Sequence, residues 1–161
     1  MKIGITGHQN LEGEETILWL GNSIVQKIDS VNPKIGYSCL AAGADQLFAS
    51  ILLDRGIDLV SIIASLDYET TFRNNSAALK KYETLLKKSK RVVRLRYPVS
   101  DEIAFFNASK FMVNKIDILF AIWNNLPAKG FGGTADVVNY ALEHKKVIFH
   151  LNPINKTIKT I

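Results

Sequence analysis

The chain has 161 residues, of which 47% are apolar and 22% charged, with a formal net charge of +5. That is enough chain for one domain with a sizeable core, and the balance is that of a folded globular protein rather than a disordered one. No apolar run approaches the ~18 residues of a membrane span, and a single cysteine, Cys39, excludes an internal disulfide and a cysteine-based metal cluster.

Lys2 to Thr6, rich in isoleucine, reads as a first strand, and Gly7-His8-Gln9-Asn10 turns the chain. Ile17, Leu20, Ile24 and Ile28 recur at helical spacing, with Glu12, Glu14 and Glu15 near the start, as a helix dipole favours. Asn32-Pro33 closes that helix. Lys34 to Leu40 predicts strand two, Ala41 to Asp45 a small-residue turn, and Gln46 to Arg55 a helix ended by Gly56. Ile57 to Ala64 is nearly all apolar, as a central parallel strand requires. Ser65 to Asn75 reads as a loop and Ser76 to Lys88 as a helix with Leu79, Tyr82, Leu85 and Leu86 inward.

Arg91 to Tyr97 predicts strand four, and Asp101 to Lys115 a helix capped by Ser100 or Asp101. Asp117 to Trp123 is an apolar run that reads as a buried strand, and Ala135 to His144 as a helix. Val147 to Leu151 is strand six. The sequence leaves residues 153–161, set apart as a C-terminal tail from a domain spanning 1–152, open between an edge strand, a dimer contact and disorder.

Strands alternating with helices over short connections imply a single α/β, Rossmann-like three-layer domain with a mostly parallel sheet of about six strands. Ligands of such sheets sit outside the carboxyl ends of the strands, where the strand order reverses. Three turns fall on that edge: Gly7 to Asn10, Ala41 to Asp45, and Gly130 to Asp136. In the third, a glycine turn runs from a strand into a helix start. Its backbone N–H groups and the roughly half positive charge of the helix end suit an anion. Thr134 is expected to cap that helix and to offer a hydroxyl.

These residues resemble a known family. Ile5-Thr6-Gly7-His8-Gln9, Leu40-Ala41-Ala42-Gly43-Ala44-Asp45, and the long segment from Phe111 through Pro127-Ala128-Lys129-Gly130-Phe131-Gly132-Gly133-Thr134-Ala135-Asp136 to Tyr140-Ala141 are similar to motifs of the SLOG superfamily. That superfamily includes the Lonely Guy phosphoribohydrolases and the Rossmann domain of DNA-processing protein A. The resemblance covers nearly the whole chain and implies a pocket for a nucleotide or nucleotide-derived ligand. It departs at the chemistry. Val137 stands where Lonely Guy enzymes carry their glutamate, and Ala108 and Ser109 stand at the positions of their arginine and lysine.

The expected ligand-binding residues are therefore Gly7, His8, Gln9, Gly43, Asp45, Arg73, Gly132, Gly133 and Thr134. Arg73 enters as a bidentate phosphate clamp. If the protein cleaves an N-glycosidic bond of a nucleoside monophosphate, Asp136, Asp45 and His8 are the catalytic candidates. A third reading rests on residues 80–96, where eight Lys and Arg face one acid: a local basic patch for single-stranded DNA. Without interleaved aromatic residues for base stacking, that patch reads better as a solvated helix end and a charge-guarded edge strand, so nucleic acid is the disfavoured partner. His8, His144 and His150 show no metal-ligand spacing, and neither a metal nor a cofactor is expected. No signal-peptide pattern precedes the first strand and the single cysteine fits a reducing compartment, so a cytoplasmic setting without a membrane is expected, and the resemblance implies a homodimer or larger homo-oligomer.

Overall fold

Seven extended segments hydrogen-bond into one sheet in a computed structural model that describes residues 1–161. They are β1 (Lys2–Gly7), β2 (Ile35–Ser38), β3 (Asp58–Ser65), β4 (Arg91–Tyr97), β5 (Ile118–Ile122), β6 (Val147–Asn152) and β7 (Thr157–Thr160). The helices are α1 (Glu14–Val31), α2 (Ala44–Asp54), α3 (Ser76–Lys88), α4 (Glu102–Val113) and α5 (Thr134–Glu143).

The strand order is β4-β3-β2-β1-β5-β6-β7. Strands β1 to β6 are parallel, and β7 returns antiparallel to β6. The chain runs outward from β1 to β4, then crosses back to place β5 on the other side of β1. The order therefore reverses between β1 and β5, and a crevice opens above their carboxyl ends.

Strands covered on both faces need apolar side chains on both. All five residues of β5 are buried, as are seven of the eight in β3. Phe120 at the centre meets Phe48 of α2 and Phe149 of β6, with ring centroids 5.2 and 5.3 Å apart. By contrast β4 lies at the sheet edge with its arginines half-exposed or exposed, the charge-guarded edge expected of it. Arg94 there is paired, its Nη2 2.7 Å from Glu69 Oε1.

Four details differ from the sequence reading. Strand β2 stops at Ser38, because Leu40 turns with φ +58°. Helix α2 starts at Ala44, so Asp45 stands in its first turn rather than in the preceding loop. Residues 65–75 contain a 3-10 turn, Tyr68–Phe72, which buries both aromatic ends in the core. The segment set apart as a tail contributes β7, with Ile148 and Ile161 exchanging backbone hydrogen bonds at 2.8 and 2.9 Å. No helix is long and apolar enough to cross a membrane.

Candidate functional site

Above the β1–β5 reversal lies a cavity of about 1040 Å³. Its walls come from segments far apart in the chain, and each is held by backbone chemistry. The turn after β1 is tied to β5 by His8 N–H, which donates to the Ile122 carbonyl at 3.3 Å. The same turn is tied to α2, because Ala44 N–H donates to the His8 carbonyl at 3.1 Å. Gly7 is confined between Ala44 and Ile122: a Cβ there would stand 2.6 and 2.8 Å from their Cβ atoms.

The β5–α5 loop forms the opposite wall. Asn124 N–H donates to His8 Nε2 at 3.2 Å, and Trp123 Nε1 donates to the Leu126 carbonyl at 2.8 Å. The glycine turn rests on the first turn of α4. At Gly132, with φ +76°, a Cβ would meet Phe106 Cβ at 2.7 Å, and at Gly130 one would meet Glu102 Oε1 at 2.5 Å. The N-cap of α5 is Gly133, with no side-chain cap, so Thr134 is the first helical residue and not the expected cap. The Gly133 carbonyl accepts from Asp136 and Val137, while the N–H groups of Thr134 and Ala135 find no acceptor within the protein.

Seven expected residues meet around this cavity: Gly7, His8, Gln9 and Asp45 on one side, Gly132, Gly133 and Thr134 on the other. Gly43 serves from behind. Its φ of +80° and its approach to Gln9 hold the β1 turn, and it does not itself line the space. Asp136 does not line it either; its Oδ2 accepts from Gly132 N–H at 2.8 Å and braces the turn. Arg73 is exposed and lies outside the lining, at the C-terminal end of the 3-10 turn.

Burial shapes the titration of the lining groups. It pushes the Asp45 carboxyl up to about 7, against opposing hydrogen bonds from Cys39 N–H and Ser38 Oγ at 3.0 and 3.4 Å. Burial lowers His8 below the usual histidine value, against the Asn124 side chain, which pulls it up, and with a smaller downward push from Lys129. It also raises the Cys39 and Tyr68 pKa values, so both stay protonated and neutral near pH 7.

The sequence did not single out Lys129, Glu102 or Asn124, all of which line the cavity. Lys129 and Asn124 lie in the β5–α5 loop, where no periodicity marks orientation. Glu102 is read from sequence as an ordinary first-turn acid. The half-buried Phe105 also lines the cavity, edge to face with the buried Tyr68 at a centroid distance of 6.2 Å.

No protein-family model matches the sequence, and a search of curated proteins gives no significant match. Solved structures do match. The DNA processing protein A of Streptococcus pneumoniae aligns over 94% of this chain with a TM-score of 0.66 and 13% identity, and the chain spans 50% of that protein. DNA processing protein A of Helicobacter pylori, described with a single-stranded DNA binding mode, aligns over 98% of this chain and 68% of its own length, with a TM-score of 0.67 and 15% identity. The chain shares the Rossmann-like fold of these proteins. The molybdenum cofactor binding protein of Rippkaea orientalis shares that fold over 94% of this chain and 76% of its own length, with a TM-score of 0.55 and 14% identity. At such identities the likeness is one of fold and does not carry a ligand with it.

Proposed function

We propose that the protein binds a nucleotide or nucleotide-derived ligand in the cavity above β1 and β5. The observation that carries the reading is the wall made by the glycine turn and α5. There the unpartnered N–H groups of Thr134 and Ala135 and the α5 dipole face a space that Lys129 also lines. An anionic group fits there. The half-buried Phe105, backed by the buried Tyr68 ring, gives a planar base an apolar contact in the same cavity. A volume of about 1040 Å³ accommodates both parts at once.

Binding is favoured over cleavage of a glycosidic bond. The Asp136 carboxylate accepts from Gly132 N–H outside the lining, and Asp45 accepts from Cys39 N–H and Ser38 Oγ. Both carboxylates are committed to their own turns. Proton NMR of AMP, GMP, CMP and ADP-ribose with near-stoichiometric protein, followed over hours, tests the reading. Line broadening of at least one nucleotide without new signals is the expected result, with about tenfold weaker binding in Lys129→Ala from the lost charge-assisted contact. Free-base signals would make the protein a hydrolase instead. No broadening across the panel would overturn the nucleotide reading.

A further inference from the structure

We propose that His8 serves the cavity as a fixed hydrogen-bond donor through Nδ1–H, directed at an anionic oxygen of the ligand, and not as a base. This deepens the nucleotide reading and rests on it for the identity of the anion.

The tautomer of His8 is set by Asn124. Its backbone N–H, which can only donate, approaches His8 Nε2 at 3.2 Å. A neutral imidazole has one donor and one acceptor nitrogen. Nε2 must therefore carry the lone pair, and the proton must sit on Nδ1. The ring is kept in that neutral form by its surroundings. Burial lowers its pKa and outweighs the Asn124 side chain, which favours the charged ring, while Lys129 opposes a second cation. The other titratable groups lining the cavity are Glu12, Cys39, Asp45, Tyr68 and Glu102.

Nδ1 has no partner in the protein. It is not sealed away either, because no side-chain nitrogen or oxygen is buried without a hydrogen bond. His8 lines the cavity, so its free nitrogen offers a donor to that space. Lys129 adds an ammonium and α5 adds two N–H groups, so donors outnumber the one carboxylate near this wall, Glu102. Taking a proton from the ligand at Nε2 would require His8 to give up Asn124, and with it one of the bonds that pin the β5–α5 loop.

Two measurements test this. Long-range proton–nitrogen NMR of the labelled protein at pH 7.5 shows which ring nitrogen is protonated, with the His8 signals assigned by their loss in His8→Gln. Protonated Nδ1 with unprotonated Nε2 is expected; a proton on Nε2 overturns the proposal. The second measurement titrates inorganic phosphate into wild type, His8→Gln and His8→Phe. Glutamine can accept from Asn124 with its oxygen and donate with its nitrogen, and phenylalanine can do neither. His8→Gln is expected to keep phosphate affinity within about threefold, and His8→Phe to lose about tenfold, the worth of one hydrogen bond to a charged acceptor. Equal losses in both variants would overturn the donor role. Absence of phosphate binding in wild type would overturn the anion site itself and the nucleotide reading with it, whereas a proton on Nε2 would overturn the role of His8 alone.

Discussion

Gly43 lies directly against His8. A Cβ at position 43 would stand 2.6 Å from the His8 carbonyl oxygen and 2.3 Å from that of Gln9, with φ already at +80°. The two turns that the sequence reading assigned to one ligand are thus in contact before any ligand arrives. Gly43→Ala adds backbone strain and a clash with backbone atoms that cannot move aside. It is expected to cost about 2 kcal/mol or more of stability, read as a lowered urea midpoint. Because the displaced atoms belong to the His8 turn, nucleotide affinity should fall in the same variant.

The sequence made the alternation of strands and helices legible because buried parallel strands need unbroken apolar runs, as in Ile57 to Ala64 and Ile118 to Ile122. It also marked the three turns, since glycines at 7, 43 and 132 answer to close backbone approaches. What it lacked was direction within loops. Arg73 and Asp136 stand on the correct edge by chain order, yet one is exposed and the other is turned onto Gly132 N–H. Lys129 and Asn124 gain meaning only once β5 is placed beside β1, a pairing between residues more than 110 positions apart. The residues after Asn152 were left open for a similar reason: Thr157 to Thr160 is too short and polar to declare itself a strand without β6 as template.

The Asp45 carboxyl gives the protein an inverted pH dependence. Its folded pKa is pushed up to about 7 from 3.8. Between those values the folded chain holds a proton that the unfolded chain has released. Stability from this group is therefore full below about pH 4 and is lost as pH rises through 7. Asp45→Asn cannot titrate. The difference in thermal midpoint, wild type minus variant, is expected to fall steadily from pH 4.5 to pH 8 and then level off. A flat difference would show that Asp45 does not hold its proton.

Strand β7 closes the sheet beyond β6. Removal of residues 153–161 deletes the ladder from Phe149–Thr160 to Asn152–Thr157 and uncovers the β6 edge. Ile158, which packs against the core, is lost as well. A loss of about 2 kcal/mol is expected, which for a domain of this size is roughly 5 °C in Tm. A bare β6 edge should also pair with other chains, so light scattering of the truncated protein is expected to rise with concentration.

Asp136 links the glycine turn to α5, and its two possible roles separate by substitution. Asp136→Ala removes the acceptor of Gly132 N–H, now 2.8 Å from Oδ2. It also removes a negative charge from the first turn of the helix. Together these should cost about 1–2 kcal/mol. Asp136→Asn keeps an oxygen for Gly132 and should recover about half of that loss. If Asp136 acts only as this brace, nucleotide affinity tracks the stability order, with wild type above asparagine above alanine. A carboxylate needed for bond cleavage behaves otherwise: asparagine would bind as wild type does and release no base. Parallel urea unfolding and nucleotide titration of the three proteins decide between them, and the parallel order is the expected result.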